Sequence, residues 1–440
     1  MIQCVCAAVG RLSPGVFLHM LCDANPPYMH ISQMNMRIAV SFDGKTFAMQ
    51  PQSLTPQDAT GLLSLIGLIA LFVGLLILTH RTQLRRQQQA HFNPSPAMKP
   101  FPQASNYSQQ LPISTQLPPA ERQATLHQAF EDWQAAYLLR GLDGQTEFLR
   151  GETYKRGLRY QLTSTSLAQG LGLFIQAQMA QNGDDSRGRF ERMLAYLLAH
   201  PAQDQPALSS WLSMPDLPTS PRLESDLHAE AWILAALLAA RQQWGGLQRF
   251  DLDQIFQQRS QALLEALNTN SENGTEIFSP LLFNIISQQV PDPFWQTQTE
   301  VEWNKLIPHL RENNGLPGRQ EALNLLQIGL DGLLFPDNGF AETSDLAFAR
   351  LKRALSERKA LEGDMEEGFS RLASVSCCVP LALLEEKGED PDQLWSLLNH
   401  AQPGKQDSLG ASLRLIAMMS MTGTLWVGRN GKEPSLTTSE

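Results

Sequence analysis

The apolar residues of this chain recur at the three- and four-residue spacing of an amphipathic helix in nearly every apolar run from residue 120 to residue 421. Boundary residues agree with that pattern, since Ser186 and Asp251 stand before two of the runs and Gly245 and Pro403 stand just after two others. The spacing predicts about a dozen helices, each of roughly ten to twenty residues, and therefore an all-α fold.

The predicted helices, joined by moderate loops, fit either a toroid of paired helices or a solenoid. No fixed-period repeat with signature residues is present, which disfavours a tetratricopeptide-type array. Alternating strand patterns are absent, apart from a short extended piece near residues 147–162. The helices are expected over residues 120–139, 164–182, 186–200, 223–243, 251–269, 279–290, 297–312, 318–334, 342–361, 364–387, 391–401 and 407–421.

Composition excludes several classes of function. The chain has 440 residues, a hydrophobic content of 42% and a net charge of −10. Such a charge opposes binding to nucleic acid, whose phosphates require a basic face. The five cysteines form no disulfide or metal-ligand pattern, and no Walker loop, nucleophile elbow, zinc-protease helix or dinucleotide fingerprint occurs. We therefore expect no nucleic-acid partner, no cofactor and no metal.

One long apolar run carries no charge, from Gly61 to Leu78. A helix of this length rises about 27 Å, which is enough to span the hydrocarbon core of a bilayer. Because about sixty residues precede it, a cleaved signal peptide is the weaker interpretation. The sequence thus predicts a single transmembrane helix over residues 61–79.

Positive charges flank this run unequally. Arg81, Arg85, Arg86 and Lys99 follow it within about twenty residues, whereas only Lys45 precedes it within that distance. The positive-inside tendency then predicts a single-pass protein of the bacterial inner membrane with its C-terminal domain in the cytoplasm, and a periplasmic domain is the alternative.

Two further segments complete the predicted organisation. Residues 80–119 are rich in glutamine and proline and have no apolar periodicity, which predicts a disordered, extended tether. Residues 1–60 are expected to be a poorly structured N-terminal tail. Residues 120–440 are expected to form one helical domain.

A resemblance to a known family narrows the fold. The stretch Ser166–Phe174 reads S-L-A-Q-G-L-G-L-F and is similar to the S-E-G-x-G-Y-G-M-L signature of glycoside hydrolase family 8. Further motifs extend the likeness, in the family's order, over about residues 125–335. The resemblance implies an (α/α)6 toroid. It also implies a relation to the family's enzymes, which are inverting β-glucanases. The additional matches are Trp133, Tyr137, Asp143–Gln145, Phe190–Leu194, Trp211, Leu227–Leu234, Trp244-Gly245 and Asn314–Pro317.

The family's reaction needs carboxylates that this chain lacks at the matching positions. Inverting hydrolysis uses one carboxyl to protonate the leaving oxygen and a carboxylate, roughly 6.5–9.5 Å away, to activate water. The resemblance puts Leu167 at the acid position and Gln320 at the base position, while the two aspartates of the second acidic motif match His228 and Glu230. A leucine donates no proton, and a glutamine accepts none at neutral pH. The resemblance therefore implies a degenerate member without a confident catalytic residue.

Alternatives for the site stay open. Glu230 and Glu321 would form a relocated acid and base if the register shifts by one position. His228 beside Glu230 would suit a proton relay or a metal site, although one histidine is a poor start for a metal and a structural histidine is the more common outcome. Tryptophan rings would stack on sugar faces. The expected cleft-lining residues are Trp211, His228, Glu230, Trp232 and Arg319.

These features together suggest a membrane-anchored, catalytically degenerate relative of family 8 that binds or scaffolds components of bacterial cellulose or exopolysaccharide biosynthesis and secretion. Its expected partners are the membrane, protein components of a polysaccharide synthase complex and a β-glucan. We expect no enzymatic activity. Two alternatives stay open: an active, inverting endo-β-1,4-glucanase with relocated carboxylates, and a helical adaptor unrelated to sugars.

Overall fold

The computed structural model forms two compact units, Met1–Asn93 and Pro94–Glu440. The structure describes residues 8–13, 16–23, 35–42, 45–49, 97–102, 118–151, 153–156, 159–215, 217, 221–271, 279–290, 292–312, 319–335, 371–384 and 391–426.

The first unit contains an antiparallel sheet with strand order β1-β2-β3-β4. Two-residue connections separate the outer pairs of strands, and their sequences, Pro14-Gly15 and Asp43-Gly44, are typical of hairpin turns. This sheet corrects the expectation of a poorly structured tail over residues 1–60, since both dipeptides favour hairpins. The strands are β1 (Ala8–Ser13), β2 (Val16–Asp23), β3 (Asn35–Phe42) and β4 (Lys45–Met49).

The apolar run predicted to cross a membrane, residues 61–79, lies outside the described residues. Among the residues that are described, no helix is both long enough and apolar enough to pass through a bilayer.

The second unit is helical, and its helices lie where the apolar periodicity predicts them. The helix expected over residues 342–361 lies outside the described residues, and each of the other predicted helices matches a described one. The described helices are α1 (Pro119–Tyr137), α2 (Ser166–Gln178), α3 (Ser186–Ala199), α4 (Leu227–Trp244), α5 (Leu252–Ser271), α6 (Pro280–Gln289), α7 (Pro293–Glu312), α8 (Arg319–Leu334), α9 (Arg371–Ala382), α10 (Pro391–His400) and α11 (Ser408–Thr422).

Six of these helices form a closed inner ring. In chain order α2, α4, α6, α8, α9 and α11 each contact the next, and α11 contacts α2. The helices α1, α3, α5, α7 and α10 pack against this ring, chiefly against α11, α2, α4, α6 and α11 respectively. The (α/α)6 toroid is therefore confirmed, and the solenoid alternative is wrong because its ends would not meet.

The ring helices α2 and α4 are buried on nearly every face because neighbouring helices cover them. Every residue of α2 is buried, as are nearly all residues of α4. Gly170 lets these two helices approach closely, since a Cβ atom at this position would lie 3.1 Å from the Ala229 carbonyl oxygen. Their first turns therefore lie side by side.

Short strands connect α1 to α2 and support the start of α2. The extended piece predicted near residues 147–162 corresponds to β6, β7 and β8. Strand β9 pairs with β10, which brings the segment around Trp211 beside the first turn of α2. The strands are β5 (Leu138–Arg140), β6 (Glu147–Leu149), β7 (Thr153–Arg156), β8 (Arg159–Leu162), β9 (Ser164–Thr165) and β10 (Leu212–Ser213).

Part of the predicted tether packs on the toroid. Residues 97–102 belong to the second unit, and both Ala97 and Phe101 are only 7% exposed. The composition of residues 80–119 predicts disorder throughout, so this contact is a correction: Phe101 buries an aromatic ring that the glutamine and proline content conceals.

Candidate functional site

The candidate site lies where α2 and α4 begin. Both helices start with a side-chain cap: Thr165 Oγ1 accepts a hydrogen bond from Ala168 N at 3.3 Å, and Asp226 Oδ1 accepts one from Ala229 N at 3.1 Å. Such caps satisfy backbone N–H groups that the first helical turn leaves free. Leu167 and His228 are each the second residue after their cap, so the two positions are equivalent on neighbouring helices.

Leu167 is a core residue, with 1% of its surface exposed. Neutral groups surround the start of its helix: Gln169 Nε2 donates to Ser164 Oγ at 2.7 Å, and Ser164 Oγ donates to Leu149 O at 2.8 Å. The first turn of α2 contains no acidic residue. The position that the family resemblance assigns to the general acid therefore contributes apolar packing.

Glu230 is fully buried and bound on both carboxylate oxygens. Arg259 Nη1 from α5 donates to Glu230 Oε2 at 2.6 Å, and Ser209 N donates to Oε1 at 2.6 Å. Arg259 Nη2 also reaches Ser209 Oγ at 3.0 Å. Burial raises the pKa of Glu230, while the guanidinium and the Ser209 N–H act in the opposite direction.

This carboxylate ties α4 to α5 and to the loop before β10. It has no exposed surface, so the expectation that Glu230 lines an open cleft is wrong. A fully buried carboxylate that already accepts two strong hydrogen bonds is also a poor acid or base for a bound substrate.

His228 is buried within a polar cluster that joins three ring helices. Its Nδ1 atom lies 2.8 Å from Ser279 Oγ, just before α6, and 3.4 Å from Gln327 Nε2 on α8. Ser279 N in turn donates to the Glu302 carboxylate of α7. Burial raises the pKa of Glu302, and Lys305, with Nζ 3.1 Å from Oε1, opposes that shift. His228 thus has the surroundings of a structural histidine.

Within the described ranges, no three histidine, cysteine, aspartate or glutamate side chains come together in a way that would hold a metal ion.

The predicted tryptophans have different environments. Trp211 is 43% exposed, and its carbonyl oxygen accepts a hydrogen bond from Ser166 N at 3.0 Å, which fixes it beside the first turn of α2. Trp232 is 1% exposed and lies edge-on to Phe174, with ring centroids 5.5 Å apart. Trp232 is therefore a core residue and not a cleft-lining one.

The predicted base position lies at another helix start. Arg319, Gln320 and Glu321 occupy the first turn of α8, an inner-ring helix like α2 and α4. Their side chains lie outside the described part of the structure, so their roles stay predictions.

Several polar residues of this region were not predicted. Arg259, Ser279 and Glu302 hold Glu230 and His228 in place, yet each lies far along the chain from its partner. No local pattern marks them, because their function depends on contacts that only the closed ring creates.

No family model matches the chain, but a known protein and several solved structures are similar to it. A segment of 186 residues, 41% of this chain, is 25% identical to an endoglucanase of Bacillus sp. (strain KSM-330), and the match spans 39% of that protein's length.

Solved structures share the fold over almost their whole length. A β-1,3-1,4-glucanase from Paenibacillus sp. X4 superposes with a TM-score of 0.61 at 16% identity, covering 75% of this chain and 99% of the glucanase. A cold-adapted family 8 xylanase in complex with substrate gives a TM-score of 0.56 at 13% identity, covering 77% of this chain and 99% of the xylanase. The second unit therefore has the toroidal fold of family 8 glycoside hydrolases.

Proposed function

We propose that this chain is a non-hydrolytic β-glucan-binding protein that is anchored in the inner membrane and serves as a binding or scaffolding component of bacterial cellulose or exopolysaccharide biosynthesis and secretion. The observation that carries the proposal is Leu167. It is 1% exposed in the first turn of α2, at the position where the family resemblance implies a general acid.

Among the described residues around Leu167, neither carboxylate is placed as a replacement acid. Glu230 is fully enclosed by Arg259 and Ser209, and Asp226 caps α4 by accepting a hydrogen bond from Ala229 N. The other polar groups described at the two helix starts are hydroxyls, amides and an imidazole bonded to Ser279. Hydroxyls and amides bind sugars but do not protonate a glycosidic oxygen at neutral pH. The chemistry of the site therefore favours binding over cleavage.

Trp211 supports a saccharide ligand. The indole of Trp211 is half-exposed, and the hydrogen bond from Ser166 N to the Trp211 carbonyl oxygen holds the residue beside α2. Aromatic rings of this kind stack on the apolar faces of pyranose rings. The two glucanases among the similar proteins favour a β-glucan in particular.

The proposed membrane anchor is inferred from the amino-acid sequence alone. The charge-free run Gly61–Leu78 is long enough to span a bilayer, and the arginines that follow it favour a cytoplasmic toroid. Protein components of a polysaccharide synthase complex are the proposed partners there. Alkaline phosphatase fused to the C-terminus should be inactive, and strong activity would indicate a periplasmic toroid.

Binding is tested with the full chain in nanodiscs by affinity electrophoresis in gels containing mixed-linkage β-glucan. The wild type should be retarded, and Trp211→Ala should remove most of the retardation. Leu397→Ala is the matched control, because Leu397 is 45% exposed, close to the 43% of Trp211, but lies on α10. Equal mobility of wild type and Trp211→Ala would overturn the proposed binding site.

A further inference from the structure

A cavity of about 610 Å³ lies between the outer helices α1 and α10 and the ring helix α11. Sites for small ligands commonly have volumes of roughly 300–1,000 Å³. The cavity follows α1 from Ala124 to Ala136, which corresponds to about 18 Å of helix. None of the described residues that line it belongs to the candidate site at the starts of α2 and α4. The cavity is therefore a separate, elongated recess.

Two aromatic side chains, nearly buried, form the floor of this cavity. Trp133 Nε1 donates to Ser412 Oγ at 3.1 Å, and the Tyr137 hydroxyl donates to Gly404 O at 2.7 Å. Both polar atoms are bonded within the protein, so the two rings contribute mainly carbon to the lining. Carbon surfaces of this kind pack against the C–H groups of a sugar ring.

One positive and one negative side chain line the cavity. Arg414 Nε donates to Leu398 O at 2.6 Å and Nη2 donates to Asn399 O at 3.3 Å, so carbonyl groups at the end of α10 fix the guanidinium. Burial lowers the pKa of Arg414, and the Asp132 carboxylate acts in the opposite direction. The two groups therefore interact electrostatically, yet no ion pair joins these two described side chains. The space between them suits a ligand that accepts hydrogen bonds on one side and donates them on the other.

The other polar side chains around the aromatic floor are neutral, namely one hydroxyl and three amides. The amides belong to Gln128, Asn399 and Gln402, which are all exposed residues. An amide group both donates and accepts hydrogen bonds, as the hydroxyl groups of a sugar do. With one aspartate and one arginine, the lining has no net charge, and it therefore suits an uncharged ligand rich in hydroxyl groups.

A peptide fits this recess less well. Extended peptides pair with a free strand edge, and helical peptides place apolar anchors in a hydrophobic groove. The long wall of the cavity is a helix, and its exposed row consists of Ala124, Gln128, Asp132 and Ala136. Such a row offers neither a strand edge nor a large apolar side chain.

We propose that the cavity between α1, α10 and α11 is a second saccharide-binding site, which takes a short segment of an uncharged glucan chain. Asp132 and Arg414 bind hydroxyl groups from different walls, and the aromatic floor contacts the sugar ring. The inference rests on the proposed function for the class of its ligand. Two sites on one toroid hold a polymer by avidity, because release of one site leaves the other bound.

The site is tested by hydrogen exchange of the full chain in nanodiscs, with and without cellotetraose. At about three times the half-saturating concentration, exchange should slow about fourfold in two segments, residues 209–213 beside the first site and residues 399–403 beside the second. Trp211→Ala should abolish the change at 209–213 alone. Ala136→Trp should abolish the change at 399–403 alone, since an indole at this exposed position fills the cavity.

Ala135→Trp is the matched control, because Ala135 is an equally exposed alanine of α1 that does not line the cavity. It should leave both changes intact. Asp132→Ala tests the chemistry without adding bulk. Half-protection of residues 399–403 should then require about tenfold more cellotetraose, as loss of a hydrogen bond to a charged group implies.

The outcomes separate this inference from the proposed function. Protection at 209–213 without protection at 399–403 in the wild type would overturn the second site alone. Protection at 399–403 without protection at 209–213 would overturn the site at Trp211 and support the second one. Protection at 399–403 that persists in Ala136→Trp would refute the assigned cavity. Protection there by the zwitterionic dipeptide diglycine, but not by cellotetraose, would refute a saccharide ligand.

Discussion

The first turns of α2 and α4 begin with the same kind of side-chain cap but contain different side chains. Both have a polar cap, both belong to the inner ring, and each has one key residue at the second position after the cap. At that position α2 has Leu167, which packs in the core. At the same position α4 has His228, which is hydrogen-bonded to Ser279.

This difference separates apolar packing from polar bonding at two equivalent positions. The α2 position is part of the hydrophobic core, so it contributes to stability and has no proton to donate. The α4 position belongs to a polar network that joins helices α4, α6 and α8. Packing and buried hydrogen bonds therefore both stabilise the toroid.

Removal of the Arg259 side chain should have the largest effect on stability. Arg259→Met leaves the Glu230 carboxylate buried without its cation, and breaking such a pair typically costs about 3–5 kcal/mol of unfolding free energy. Chemical denaturation measures the loss. The double variant Glu230→Gln with Arg259→Met should recover much of it, and failure to do so would mean that Glu230 has a role other than this ion pair.

Changes at Leu167 should come next. Leu167→Ala removes a side chain that is 1% exposed, and comparable truncations cost about 2–5 kcal/mol. Leu167→Glu should destabilise the toroid at least as much, because a carboxylate would enter an apolar site without a partner. If Leu167→Glu were instead neutral and exposed to titration from solvent, the position would be part of an open cleft.

His228→Leu makes the start of α4 resemble that of α2. The change leaves Ser279 Oγ without its 2.8 Å contact to Nδ1, and an unsatisfied buried polar group costs about 1–3 kcal/mol. The reciprocal Leu167→His variant serves as the comparison. A thermal-unfolding series in which His228→Leu is stabilising would contradict a structural role for this cluster.

Trp211→Ala should have the smallest effect on folding. Its ring is 43% exposed, and surface substitutions usually change stability by less than about 0.5 kcal/mol. Binding of β-glucan should nevertheless weaken about threefold to tenfold, as loss of an aromatic stacking contact of about 0.5–1.5 kcal/mol implies. Calorimetric unfolding beside the affinity gels distinguishes lost binding from lost structure, and a large drop in stability would show that Trp211 belongs to the core.

The helices were predictable because apolar periodicity is a local property of the chain. The resemblance around Ser166–Phe174 also predicted the toroid. What the sequence could not reveal depends on contacts between residues far apart along the chain. Arg259 binds Glu230, 29 positions away, and Gln243 binds Lys99, 144 positions away. Trp232 was expected in the cleft because it lies within a motif, yet its side chain is buried in the core.

The central claim is that the toroid has kept its architecture without its hydrolytic chemistry. It is tested most directly by the release of reducing ends from carboxymethylcellulose and mixed-linkage β-glucan by the full chain in nanodiscs. We predict no release above that of empty nanodiscs, together with retention of the chain by the glucan. Hydrolysis that disappears in Glu321→Gln or Glu230→Gln would contradict the claim and establish an active glucanase with relocated carboxylates.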